Sequence, residues 1–214
     1  MLSPGHTELV EVRGRRGRKK QKKIMKKTKS FLYPPGGILI WIIVLVEVIT
    51  FGVALIVFRT YFHQDYDTFL ASQNMLSKNI GLFNTIVLIT SGYFMATVIV
   101  NIKQSKIKEA AKWMLYTIGT GLLFLFVKGW EYSIKIAEGH SFGYDDFFDF
   151  YWMLTAFHFI HVLVGVVILS GLLIKLRKGD YSATNFLDIE TGGVFWHMCD
   201  LIWILLFPVL YLLH

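Results

Sequence analysis

The chain has 214 residues, of which 54% are hydrophobic, more than the roughly 45–50% of a soluble domain. Its formal net charge is +7, but eleven of the 22 Lys and Arg lie before residue 30. No recognition fold accompanies that charge, which argues against a nucleic-acid partner and for a cytoplasmic or lipid-facing tail. A single cysteine, Cys199, cannot form an internal disulfide or a thiolate metal cluster.

In chain order, residues 1–29 are polar and rich in Gly, Arg and Lys, with no apolar periodicity and no secretory apolar core. They are expected to be disordered. Met25 is a plausible alternative start, because a chain beginning Met25-Lys26-Lys27 keeps a basic flank. After the stop at Tyr33-Pro34-Pro35-Gly36-Gly37, five apolar runs each reach the 20 or so residues needed to cross a bilayer. They cover residues 38–62, 80–102, 110–136, 147–176 and 192–213. The fourth is the longest and is expected to tilt. Pro208 is expected to kink the fifth or fray its last turn. The predicted fold is all-α, a polytopic membrane bundle of five transmembrane helices over residues 36–213.

Loop charges orient the bundle. The second connection carries Lys103, Lys106, Lys108 and Lys112, and the fourth opens with Lys175, Arg177 and Lys178. The first has Asp65 and Asp67 against Lys78, and the third has Glu138, Asp145 and Asp146 with no Lys or Arg between them. The positive-inside rule then puts the N-terminus in the cytoplasm and the C-terminus outside.

Ionisable groups inside the spans carry the most information, because each costs a few kcal/mol at the bilayer centre on insertion scales. They are Glu47, Lys128, Glu131, His158, His161, His197 and Asp200, with Asn84 and Asn101 adding uncharged polarity. Lys128/Glu131, His158/His161 and His197/Asp200 are all i,i+3, so each pair shares a helix face. The economical arrangement turns these faces together, with Glu47 adding a carboxylate from the first helix. Three readings compete: an interhelical network that fixes packing, a metal or haem site on the three histidines, and proton handling through Glu47 or the Lys128/Glu131 pair. Gly119 with Gly121, and Gly165 with Gly171, offer close helix approach, though neither pair has the four-residue spacing of a dimerisation motif.

Four segments resemble subunit III of the haem-copper oxidases (cytochrome c oxidase subunit 3). They are Leu45-Val46-Glu47-Val48, Lys128-Gly129-Trp130-Glu131-Tyr132, Leu154 to Val162 with Gly165, and Trp196-His197-Met198-Cys199-Asp200-Leu201-Ile202-Trp203. The family's long form has seven helices, and this chain resembles the short form lacking the first two. Ala156 stands where the family usually has Gly, and Lys128 where a neutral polar residue is common. The runs from Leu82 to Ser91 and Leu205 to Tyr211 are similar to the subunit-III-like protein of nitric oxide reductases (the NorE type).

The resemblance implies a non-catalytic subunit with no metal or cofactor of its own. Haem and copper are expected in a partner, catalytic subunit I, with structural phospholipid in a cleft of this chain. The implied role is support of assembly, proton uptake and stability in aerobic electron transport, in a bacterial inner membrane. Glu47 is then the carboxylate near the lipid cleft and the subunit I contact. Glu131, His158, His161, His197 and Asp200, with Lys128, form the buried polar network. Two rivals stand beside this reading: a proton-coupled transporter relaying through Glu47, Lys128 and Glu131, and a membrane haem protein using the three histidines.

Overall fold

The computed structural model describes residues 34–212; the basic tail and the alternative start at Met25 lie outside them. The described residues form six helices: α1 (Ile38–Gln64), α2 (Tyr66–Asn74), α3 (Lys78–Lys103), α4 (Ile107–Ala137), α5 (Asp146–Lys178) and α6 (Leu187–Tyr211). All but α2 are long and apolar enough to cross a membrane. The five spans fall where the apolar runs predict them, extended by a few residues at most ends. The chain is a multi-pass membrane protein built as an all-α bundle.

Local chemistry sets the helix ends. Pro34 accepts from the Gly37 amide at 3.0 Å, closing the turn before α1. The Asp145 side chain caps α5 by accepting from the Phe148 amide at 2.7 Å. Asp146 and Asp149 occupy its first turn, and Lys175, Arg177 and Lys178 its last, which suits both ends of the helix dipole. Gly179 then stops α5 with a left-handed φ of 87°, a conformation glycine adopts without a Cβ clash.

α6 is the hub of the bundle, contacting α1, α3 and α5. Its Trp196 is fully buried and sits between Gly121 of α4 and Gly165 of α5. A Cβ on either glycine would meet the indole, at 2.5 Å and 2.9 Å respectively. Gly119 and Gly171 face open space, so one glycine of each predicted pair mediates close approach. The Trp196 indole N–H donates to Ser91 Oγ at 3.2 Å, and Ser91 donates onward to the Thr117 carbonyl at 3.1 Å. α3, α4, α5 and α6 thus meet around one aromatic side chain. α1 lies at the edge, and only Ile40, Phe51, Phe58 and Phe62 of its residues are buried.

α2 is the element the sequence did not predict. It plugs one end of the bundle: Phe69 stacks edge-on against Phe58 and Phe147. Ser72 donates to the Asp145 carboxylate at 2.5 Å. Gln73 Nε2 donates to the Val209 and Leu210 carbonyls at 3.3 and 3.2 Å. Those are last-turn acceptors of α6, which have no partner inside the helix. α6 therefore continues through Pro208 to Tyr211, with its last turn held from outside by α2.

Candidate functional site

The seven ionisable side chains do not form one shared core. The structure divides them into three separate sites and leaves His158 alone.

The first site is an ion pair sealed inside α4, α5 and α6. Lys128 Nζ donates to Glu131 Oε2 at 3.0 Å, to the Tyr151 hydroxyl at 3.1 Å and to the Tyr211 hydroxyl at 2.7 Å. Tyr211 and Tyr151 in turn donate to Glu131 Oε1 at 2.7 and 3.2 Å. The ammonium has three donors and each has a partner. It also lies 4.8–5.3 Å from the ring centroids of Tyr132, Tyr151, Trp203 and Tyr211, within cation–π range. Side-chain exposures of 1% and 2% leave the pair out of reach of water. Sequence reasoning predicts the pair from its i,i+3 spacing but misses both phenols. A Tyr near a span end is usually an interfacial aromatic, and nothing local in the sequence marks residues 151 and 211 as neighbours of residue 128.

The second site joins α1 to α5. His161 Nε2 lies 3.3 Å from Glu47 Oε1, with both side chains mostly buried. Its other nitrogen, Nδ1, lies 2.8 Å from the Phe157 carbonyl, which makes Nδ1 the protonated one, since a carbonyl can only accept. The Phe51 and Phe157 rings close on the imidazole edge-on. Glu47 Oε2 is buried with no partner among the described residues.

The third site lies where α6 meets α3. His197 Nδ1 is 3.3 Å from Asp200 Oδ2. Asp200 packs directly on Gly92 of α3, where any Cβ would overlap its carboxylate. Asp200 is largely buried, but the His197 side chain is 43% exposed. Of the two roles the sequence allowed Asp200, orienting His197 is the one its contacts fit.

His158 is fully buried, stacked on Trp203 with centroids 5.3 Å apart and edge-on to Phe124 at 5.8 Å. Neither ring nitrogen has a partner among the described residues. His158 and His161 share a helix but serve different neighbours, because an i,i+3 step turns the face by about 60° relative to a straight stack. The three histidines therefore do not converge. Among the described residues, no three His, Cys, Asp or Glu side chains gather as a metal-binding group. Of the two asparagines, Asn101 Nδ2 donates to the Thr97 carbonyl at 2.8 Å, and the side chain of Asn84 is buried without a partner among the described residues.

A fourth cluster escapes the sequence reading. Lys135, in the last turn of α4, donates to the Met75 carbonyl at 2.8 Å and to Glu138 at 2.5 Å. His140 Nδ1 lies 3.4 Å from the same carboxylate. The hydrogen bond from Lys135, with help from its charge and from His140, holds the Glu138 carboxyl below the usual glutamate range.

The family model for cytochrome c oxidase subunit III matches residues 37–214, all five spans included. Cytochrome c oxidase subunit 3 of Thermostichus vulcanus is 30% identical over 131 residues, 61% of this chain and 64% of that one. Cytochrome bo(3) ubiquinol oxidase subunit 3 of Buchnera aphidicola is 26% identical over 173 residues, 81% of this chain and 84% of that one. A chain of Aeropyrum pernix named heme-copper oxidase subunit I+III is 27% identical over 181 residues, 80% of this chain but 22% of that one. The chain thus spans less than two thirds of the length of the first and third of these relatives. With its whole bundle matched, it belongs to the cytochrome c oxidase subunit III family.

Proposed function

We propose that this chain is the non-catalytic third subunit of a membrane haem-copper oxidase complex in a bacterial inner membrane. It packs against catalytic subunit I, which carries the haem and copper, and supports assembly, proton uptake and durability of that subunit. The observation that carries the scaffold role is the closure of its only fully buried ion pair among the described residues. Lys128 and Glu131 satisfy each other and two phenols, and are 1% and 2% exposed. A transporter relay needs groups that water can reach from alternate sides, and this pair has no such access. The Aeropyrum pernix relative is named subunit I+III, which supports subunit I as the partner. The oxidase names of the relatives favour oxygen over nitric oxide as the acceptor of the complex. The Lys and Arg of the second and fourth connections favour a cytoplasmic N-terminus and an outer C-terminus.

Glu47 is the residue assigned to proton and lipid-cleft duties near the partner. Its Oε2 is buried and unpartnered, while its Oε1 engages His161. Glu47→Gln should leave the complex assembled and alter its proton uptake or its endurance under turnover.

The test is omission of this chain from membranes that make the complex. Activity per haem should start near normal and decay faster with each turnover. Decay identical to that of the full complex would contradict the supporting role.

A further inference from the structure

His197 stands ten residues into the 25-residue α6, so it sits about 15 Å along the helix. That is the middle of a hydrocarbon layer about 30 Å thick. An imidazole 43% exposed at this depth faces a region where lipid tails offer no hydrogen bond, and polar groups in spans face protein or water. Headgroups lie at the two ends of the span and do not reach the midplane. The neighbouring Asp200 sharpens the problem. Its Oδ2 engages His197, but its Oδ1 is buried and has no partner among the described residues. The group within reach of a neighbour is therefore the unused Nε2 of the exposed His197 ring, with the covered Asp200 carboxylate behind it. Around it the surface is apolar: Leu201 and Ile204 continue the same stripe of α6, and Ile89 stands one turn from Gly92 on α3, all exposed. A polar pair in an apolar stripe at this depth fits a helix–helix contact, where polar side chains hydrogen-bond across helices, better than a lipid boundary.

We propose that the face formed by α6 and α3 around His197 and Asp200 is where the catalytic subunit docks. The occupant is a transmembrane helix of that subunit, presenting a hydrogen-bonding side chain at mid-membrane depth. This rests on the reading of the chain as a subunit III, which sets Glu47 of α1 near the partner, and adds to it a face on α6 and α3. Gly92 is part of the site, because a side chain there would displace Asp200 from beneath His197.

The experiment places a photo-crosslinking amino acid at one exposed position of the assembled complex, in place of Leu201 in one variant and of Phe126 in another. Phe126 is 74% exposed on α4. Irradiation should join the Leu201 variant to the haem-bearing subunit and leave the Phe126 variant unjoined. A crosslink to that subunit from position 126 and none from 201 would overturn the assigned face while keeping the subunit III reading. So would a crosslink from 201 to a second copy of this chain. If the chain fails to co-purify with any haem-bearing subunit before irradiation, the reading beneath the proposal fails. As a second arm, His197→Leu should make the complex dissociate at lower detergent concentration while the isolated chain keeps its helicity. Unchanged dissociation would also count against the docking face.

Discussion

The Lys128 and His197 sites begin from the same local device and end in opposite states. Each pairs a base with a carboxylate three residues on along one transmembrane helix. At Lys128, phenols from α5 and α6 complete the coordination and the pair is 1% and 2% exposed. At His197, no neighbouring helix among the described residues supplies a third group, and one buried carboxylate oxygen is left over. The comparison shows that spacing makes the pair and tertiary packing decides whether it is finished. A finished pair is a scaffold, and an unfinished one facing the membrane is an expectation of another protein.

The contrast can be broken most severely at the sealed site. Lys128→Met should cost about 3–5 kcal/mol, because it strands a buried carboxylate. The double variant Lys128→Met/Glu131→Leu should recover most of that loss, since a buried pair is often replaceable by apolar groups of similar volume. Thermal melting of the detergent-solubilised chain checks both, and a double variant no better than the single would show that the phenols need the charges. Next in size is the helix approach that builds the sealed site. Gly121→Val should cost about 1–3 kcal/mol by overpacking against Trp196, while Gly119→Val, facing open space, should leave the melting temperature almost unchanged. Equal effects at the two glycines would refute the assigned contact.

At the open site the expected loss is smaller. His197→Ala should lower the folded yield of the isolated chain by the equivalent of about 1 kcal/mol, the low end for leaving a buried acceptor unsatisfied. A loss as large as that of Lys128→Met would mean that the pair is sealed after all. The smallest effect belongs to the end of the bundle that α2 plugs. Glu138 has a depressed carboxyl, with Lys135 the main cause. Such a group contributes stability that is fully present above the unfolded pKa and disappears as pH falls through the lower, folded one. Acidification should therefore loosen the connection between α4 and α5, read as faster amide exchange at residues 138–140. In Glu138→Gln that pH dependence should vanish, and its persistence would assign it to another carboxylate.

The same contrast separates what the sequence made legible from what it hid. Hydropathy alone places the five spans, because a membrane helix must be about 20 residues long and apolar throughout. α2 escapes that logic: its nine residues mix Asp, Gln and Asn with Phe and Leu, and its helix exists because it packs on the bundle. The i,i+3 pairs are legible because helix geometry is local. Glu47 with His161, and Lys128 with Tyr151 and Tyr211, are not, because they depend on which helices adjoin. The expectation of one common polar core fails for a related reason: a pair already satisfied along its own helix has no need to meet the next. Lys135 was hidden at the edge of a predicted apolar run, where its long stem crosses apolar surface while its ammonium reaches the loop.

The proposed role requires this chain to be a colourless scaffold beside a haem-bearing neighbour. An affinity tag on its C-terminus, followed by mild detergent purification and an optical spectrum, tests that directly. The expected result is co-elution with a larger subunit that carries all the haem, this chain being colourless once the two are separated. A haem spectrum that stays with this chain after separation, or a colourless chain that purifies alone and drives proton-coupled uptake in liposomes, would contradict it.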